Sequence, residues 1–290
     1  MGYLFAVVSV ILGNAKGYCG KKSSGYLKND SDAVLINVFR MVICTLIGLC
    51  IILFSHSLLA ANSKELLIFI MSGVSSALFV VFWLLCVKED AYLMLDIFLL
   101  LGTVIPITVS AVMFGESIKF TQIIGIAVLL VSVFLMCGYN NRLKGKMKKS
   151  GIIILLLCGV FNGCSDLSQK LYVKTTENMS AVKFNFYTYL FAFAVLLIAY
   201  IIKKKAPSAE PMKKTVFIYV LIMAVCLFGC SYFKTIAAKT LNSAILYPLS
   251  QGLSLINSSL MAAFLFKEKP NKQSIIGVIT AFIGLMILNV

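Results

Sequence analysis

Histidine is nearly missing from this chain. The single copy, His56, falls in a loop, so neither a histidine-based metal site nor a catalytic triad has its parts. There is no Walker-type phosphate loop, which excludes ATP-driven work by this chain. The nine cysteines include no C-x-x-C pair and sit mostly inside apolar runs. That is the setting of small packing residues, not of a disulfide framework. Charge is scarce at 13% of residues, roughly half the 25% of a soluble domain. Acid is scarcer still, with 11 Asp and Glu against 26 Lys and Arg. In a soluble protein that surplus would point to nucleic acid. Here the basic residues lie between apolar runs and read as topology signals, so no nucleic acid partner is expected.

What is present is apolar. Such residues make up 60% of the chain, and mean hydropathy is +0.98. A span needs about 20 mostly apolar residues to cross the hydrocarbon core. Ten runs qualify: 2–20, 33–54, 66–87, 91–113, 120–139, 151–172, 180–202, 215–236, 241–266 and 273–290. The expectation is an all-α integral membrane protein of ten transmembrane helices, seated in a lipid bilayer, with no room for a soluble domain. The first run has no basic segment before it and no small-residue cleavage site after it, so it reads as a retained helix, not a cleaved signal. Most Lys and Arg fall in the odd-numbered loops, above all Arg142 to Lys149 and Lys203 to Lys214. The positive-inside rule then puts the odd loops in the cytoplasm and both termini outside.

The halves resemble each other. Phe114-Gly115-Glu116, followed by Gln122-Ile123-Ile124-Gly125, matches Phe266-Lys267-Glu268, followed by Ser274-Ile275-Ile276-Gly277. Phe79 and Trp83 match Phe228 and Tyr232, and Asn14 and Lys22 match Asn162 and Lys170. The pattern divides the chain into a first five-helix repeat over 1–140, a basic linker over 141–150 and a second repeat over 151–290. Five is odd, so the second repeat enters the membrane in the opposite sense. Inverted repeats that rock about a midplane site are a recurring design of secondary transporters.

On these motifs the chain resembles the drug/metabolite transporter superfamily, EamA type. The resemblance implies ten helices in two inverted halves around a central cavity. Each half would close with a short hairpin carrying a Glu, then a helix with an early Gly, as Glu116 with Gly125 and Glu268 with Gly277 fit. Arg40 also falls at a position common in that family.

Ionisable residues inside spans are costly and mark function by default. Asn162, Asp166 and Gln169 recur at helical spacing, so they share one face. Asp166 is either a cation-binding or proton-carrying carboxylate or an ordinary partner of Lys170, four residues on. Asp96 heads a sparse polar line through Thr103, Pro106 and Ser110, and Pro106 is expected to kink that helix. Arg40 reads as a snorkelling side chain. Asn14 and Lys16 lie in a glycine-flanked stretch, Gly13 to Gly17, that loosens the first helix and turns both toward the cavity, or else Lys16 snorkels. The ninth span carries Ser243, Tyr247, Ser250, Ser254 and Asn257 in one line, with Gln251 and Ser258 beside it. That stripe is a cavity wall or glue between helices. The matched aromatics Trp83 and Tyr232 would flank the cavity from the two halves. Glu116 and Glu268 read as structural carboxylates at helix N-termini.

The resulting expectation is a secondary transporter of the cell membrane, not an enzyme, with no cofactor or metal. Its small-molecule substrate would be an amino acid, amine, sugar or nucleoside, carried by alternating access and coupled to protons. The expected cavity draws on the first, third, fourth, sixth, eighth and ninth spans. The rival is a non-transporting membrane protein, an assembly partner or sensor, whose polar stripes would be used up in helix–helix hydrogen bonds. Monomer and homodimer are equally open.

Overall fold

The computed structural model describes residues 1–55, 59–88, 92–137, 149–202, 213–265 and 272–288, and among these the regular structure is all helix. Eleven helices follow in order: α1 Gly2–Ser24, α2 Asp30–Phe54, α3 Ser63–Lys88, α4 Tyr92–Gly102, α5 Val104–Phe114, α6 Phe120–Cys137, α7 Lys149–Thr175, α8 Ala181–Ile202, α9 Lys214–Thr240, α10 Ser243–Leu265 and α11 Lys272–Leu288. Five of them, α1, α2, α3, α8 and α9, are long and apolar enough to cross a membrane.

Two helices start on reciprocal side-chain caps. Asn29 accepts a hydrogen bond from the Asp32 N–H at 2.9 Å, and Asp32 accepts one back from the Asn29 N–H at 3.1 Å. This reciprocal box satisfies donors that the first turn of α2 leaves open. Asn62 and Glu65 repeat the device ahead of α3. The fourth apolar run does not kink at Pro106 but breaks three residues earlier. There the Thr103 hydroxyl bonds back to the Leu100 carbonyl at 2.7 Å. Pro106 then sits in the first turn of α5, where its missing N–H has no intrahelical partner to lose. The stretch Gly13 to Gly17 does not loosen either, because α1 runs on through it.

The burial pattern is inverted relative to a soluble bundle. On α1, Leu4, Val7 and Ile11 face outward while Ser9 and Asn14 are buried. On α9, Ile218, Leu221, Ile222 and Val225 are exposed. Apolar faces outward with polar groups inward suit a helix bundle surrounded by hydrocarbon.

The packing exchanges the halves. α1 packs on α9, α7 packs on α3, α2 packs on α8, and α6 packs on α11. The closest approach joins α4 to α7 beside the Thr103 break. A Cβ on Gly102 would strike the Gly159 carbonyl, and one on Gly159 would strike the Phe98 carbonyl. Only residues without a side chain bring two helix backbones this near. α6 and α11 meet similarly, with Gly125 against the Leu288 backbone.

Candidate functional site

Where the exchanged helices meet, they enclose a cavity of about 160 Å³. α1 contributes Asn14 and Lys16; α7 contributes Asn162, Asp166 and Gln169; α10 contributes Gln251 and Ser254; α3 contributes Trp83. These candidate residues span 240 positions of sequence, from Asn14 to Ser254, and share one space. The spacing on α7 explains its part: positions 162, 166 and 169 fall on one face, and that face points inward.

The central contact is an ion pair. Lys234 Nζ donates to Asp166 Oδ1 at 2.6 Å, with both side chains largely buried. Lys234 also stands over the Tyr247 ring, 5.2 Å from its centroid. Tyr247 is itself fully buried and donates its hydroxyl to the Asp166 backbone carbonyl at 2.8 Å. It therefore braces the cavity from behind and does not line it. Gln169 is fixed through its amide nitrogen, which donates to Thr235 Oγ1 at 2.8 Å and to the Ser231 carbonyl at 3.3 Å. Ser254 donates to Asn14 Oδ1 at 3.2 Å, tying α10 to α1. Several polar atoms on the wall have no partner although buried: Asn14 Nδ2, Asn162 Nδ2, Asp166 Oδ2 and Gln169 Oε1. A buried polar atom without a partner costs about 1–3 kcal/mol, so the wall is built to be completed by something else.

Three expectations need correction. Asp166 pairs with Lys234, not with Lys170. Tyr232 is off the wall, its ring edge-on to Phe233 at 5.3 Å. The wall of α9 is Leu227, Cys230, Ser231 and Lys234, and that of α3 includes Ser76, Phe79, Val80 and Trp83. Those faces correspond at an offset of 151 (83 to 234), as do the helix starts at 63 and 214. The motif match of Trp83 to Tyr232 is two residues short, and two residues turn a helix by about 200°. Arg40, finally, does not snorkel. It is 1% exposed, and its Nε and Nη1 meet no acceptor among the described residues. Asp96 lies on α4, and its side chain is outside the described residues, as are Glu268 and His56.

Sequence reasoning missed Lys234 and the wall contributed by α8. There Thr188 donates to Ser72 Oγ at 2.9 Å. The only signal for Lys234 was indirect: a buried Asp166 needs a counter-charge that its own helix does not supply.

Glu116 belongs to a separate cluster at the end of the bundle. Gly115, in the left-handed region at φ 61°, closes α5 and turns the chain sharply, a conformation that glycine adopts without strain. The turn delivers Glu116 to Lys170 Nζ at 2.8 Å and Lys174 Nζ at 3.3 Å. Its other oxygen accepts the Ser243 N–H at 2.9 Å. It thus caps α10, not the helix that follows it in sequence. Lys170 goes on to donate to the Ala238 and Leu241 carbonyls at the end of α9. Burial alone would push the Glu116 carboxyl up, but the bonds from Lys170 and Ser243 outweigh it and hold it below the ordinary range. A lowered folded-state value means the contribution to stability is full above the unfolded value and is lost as pH falls through the folded one. Glu116→Gln is therefore expected to flatten the acid limb of a melting-temperature profile below about pH 4.3; identical limbs would contradict this account.

Comparison with known proteins adds the following. A model of the EamA-like transporter family matches residues 149–290. No curated protein matches the sequence. Among solved structures, one described only as "Crystal structure of protein" superposes with a TM-score of 0.77 at 14% identity, over 99% of this chain and 95% of that one. At such identity the likeness concerns the fold alone.

Proposed function

The chain belongs, through residues 149–290, to the EamA-like transporter family, and on that premise we propose that it is a secondary transporter working by alternating access. As a multi-pass membrane protein of the drug/metabolite transporter type, it has a small-molecule substrate and a bilayer around it. The finer reading is ten spans in two inverted repeats, with α4 and α5 as one interrupted span. The exchanged packing supports it: α1 on α9 answers α7 on α3, and α2 on α8 and α6 on α11 answer themselves. An operation that swaps halves and reverses their sense predicts this pattern. The basic odd loops orient the protein in the cell membrane with the linker in the cytoplasm.

One observation carries the reading. The cavity between the halves is lined from both and holds buried polar atoms that no group among the described residues satisfies. A non-transporting scaffold would use its polar groups up in helix–helix contacts, as Ser243 does with Ser110. Asn14, Asn162, Asp166 and Gln169 each keep one polar atom without a partner among the described residues. An enzymatic role is not part of this reading, nor is any cofactor: the site offers charges and amides for holding a solute, and Asp166 with Lys234 is suited to carrying a coupling proton.

The test is flux in proteoliposomes, across a panel of amino acids, amines, sugars, nucleosides and organic acids, with and without a proton gradient. Asp166→Asn is expected to cut flux at least about tenfold, the loss of roughly one charge-assisted hydrogen bond. Flux and pH dependence unchanged in Asp166→Asn would remove the cavity from the mechanism.

A further inference from the structure

The charges on the cavity wall do not balance, and the imbalance identifies the class of solute; this rests on the transporter reading above. Among the described residues the wall carries three ionisable groups that bear a charge when solvated: Lys16, Asp166 and Lys234. Asp166 and Lys234 neutralise each other at 2.6 Å. Among the described residues Lys16 forms no ion pair; it stands beside two aromatic rings, 5.8 Å from the Phe79 centroid and 5.6 Å from that of Trp83. Behind the wall Arg40 adds its field to that of Lys16. A guanidinium keeps its proton under any physiological condition, so even a neutral amine at Lys16 would leave a surplus positive charge. Cation–π contact returns only about 0.5–2 kcal/mol, whereas a buried ion without a counter-ion costs several. The site's charge is therefore best balanced by an anion.

The polar atoms give the rest of the pattern. On α1 with Lys16, Asn14 Nδ2 is a donor without a partner among the described residues, and on α7 Asn162 Nδ2 is another. Also on α7, Asp166 Oδ2 and Gln169 Oε1 are acceptors without partners there. The Gln169 assignment follows from its neighbour, since the Ser231 carbonyl only accepts and must face the amide nitrogen. The lining thus offers a cation at Lys16, amide donors at Asn14 and Asn162, and acceptors at Asp166 and Gln169. A cavity of about 160 Å³ has room for a small solute.

We infer that the cavity binds a small organic monoanion bearing a hydroxyl, a hydroxycarboxylate, with its carboxylate on Lys16 and Asn14 and its hydroxyl donating to Asp166 and Gln169. A zwitterionic amino acid would meet the same donors and acceptors but leave the surplus charge where it was. An amine would increase it.

Four probes on one three-carbon skeleton isolate charge: glycerate is an anion, serine a zwitterion, glycerol neutral and serinol a cation. Binding is read by calorimetry on the full-length protein in lipid nanodiscs, and movement by flux of the same solutes in proteoliposomes. Glycerate is expected to bind in preference to the other three. Lys16→Gln is expected to weaken it by about 30-fold or more, while Lys16→Arg retains it. Serine or serinol binding as tightly as glycerate would overturn the inference. So would unchanged glycerate affinity in Lys16→Gln, or silence of glycerate, lactate and gluconate together. The probe series uses the unaltered protein and decides the matter even if Lys16→Gln does not fold. Glycerate that binds but does not cross would uphold the site and sink the transporter reading. Serine or serinol that crosses while every hydroxy acid is silent would do the reverse.

Discussion

Lys234→Met is expected to destabilise the protein by about 3–5 kcal/mol, the usual cost of leaving one member of a buried ion pair alone. Asp166 is 6% exposed and its second oxygen already lacks a partner. Without Lys234 its charge would be left on the cavity wall with no ion-pair partner among the described residues. The double variant Asp166→Asn/Lys234→Met is expected to regain most of the loss, because it removes the stranded charge along with its partner. Melting curves of the two singles and the double close a mutant cycle. A Lys234→Met protein as stable as the wild type would mean that the pair is not formed. Flux separates stability from function: the double variant should be folded and inactive.

Gly159→Leu is expected to prevent accumulation of a monodisperse folded protein. At this point α4 and α7 touch backbone to backbone, and a Cβ alone already meets the Phe98 carbonyl. Overpacking a core costs about 1–3 kcal/mol when side chains absorb it; here there is no side chain to move. Gly159→Ala is the graded control, destabilised but recoverable. It should also weaken any cavity ligand, because α7 carries Asn162, Asp166 and Gln169 on the same rigid element. Size-exclusion profiles and melting curves check both. A Gly159→Leu protein that runs and melts like the wild type would show that the helices stand further apart.

The apolar runs placed the helices well because hydrocarbon imposes a length and a polarity rule that sequence states openly. The inward polar faces of α7 and α10 were legible for the same reason: periodicity is local. What sequence lacked was anything that depends on the approach of one helix to another. The Asp166–Lys234 pair spans 68 residues, and no spacing rule reaches that far. Lys170 sat at the tempting distance from Asp166 but turns instead to Glu116 and the end of α9. Tyr232 failed for a smaller cause, a two-residue slip in the repeat register. The break at Thr103 was hidden by Pro106, whose stronger signal drew the expected kink three residues too late. Arg40 looked like a residue bound for the interface, and its depth became visible only once α2 was packed against α8 and α9.

The chain contains a single tryptophan. It is Trp83, packed against Gly20 and facing Lys16 across the cavity. The protein's intrinsic indole emission therefore comes from the candidate site and from nowhere else. A solute that settles on Lys16 changes the charge and the water beside that one fluorophore, so occupancy registers as a change in colour or intensity without any label. The cavity carries its own optical probe.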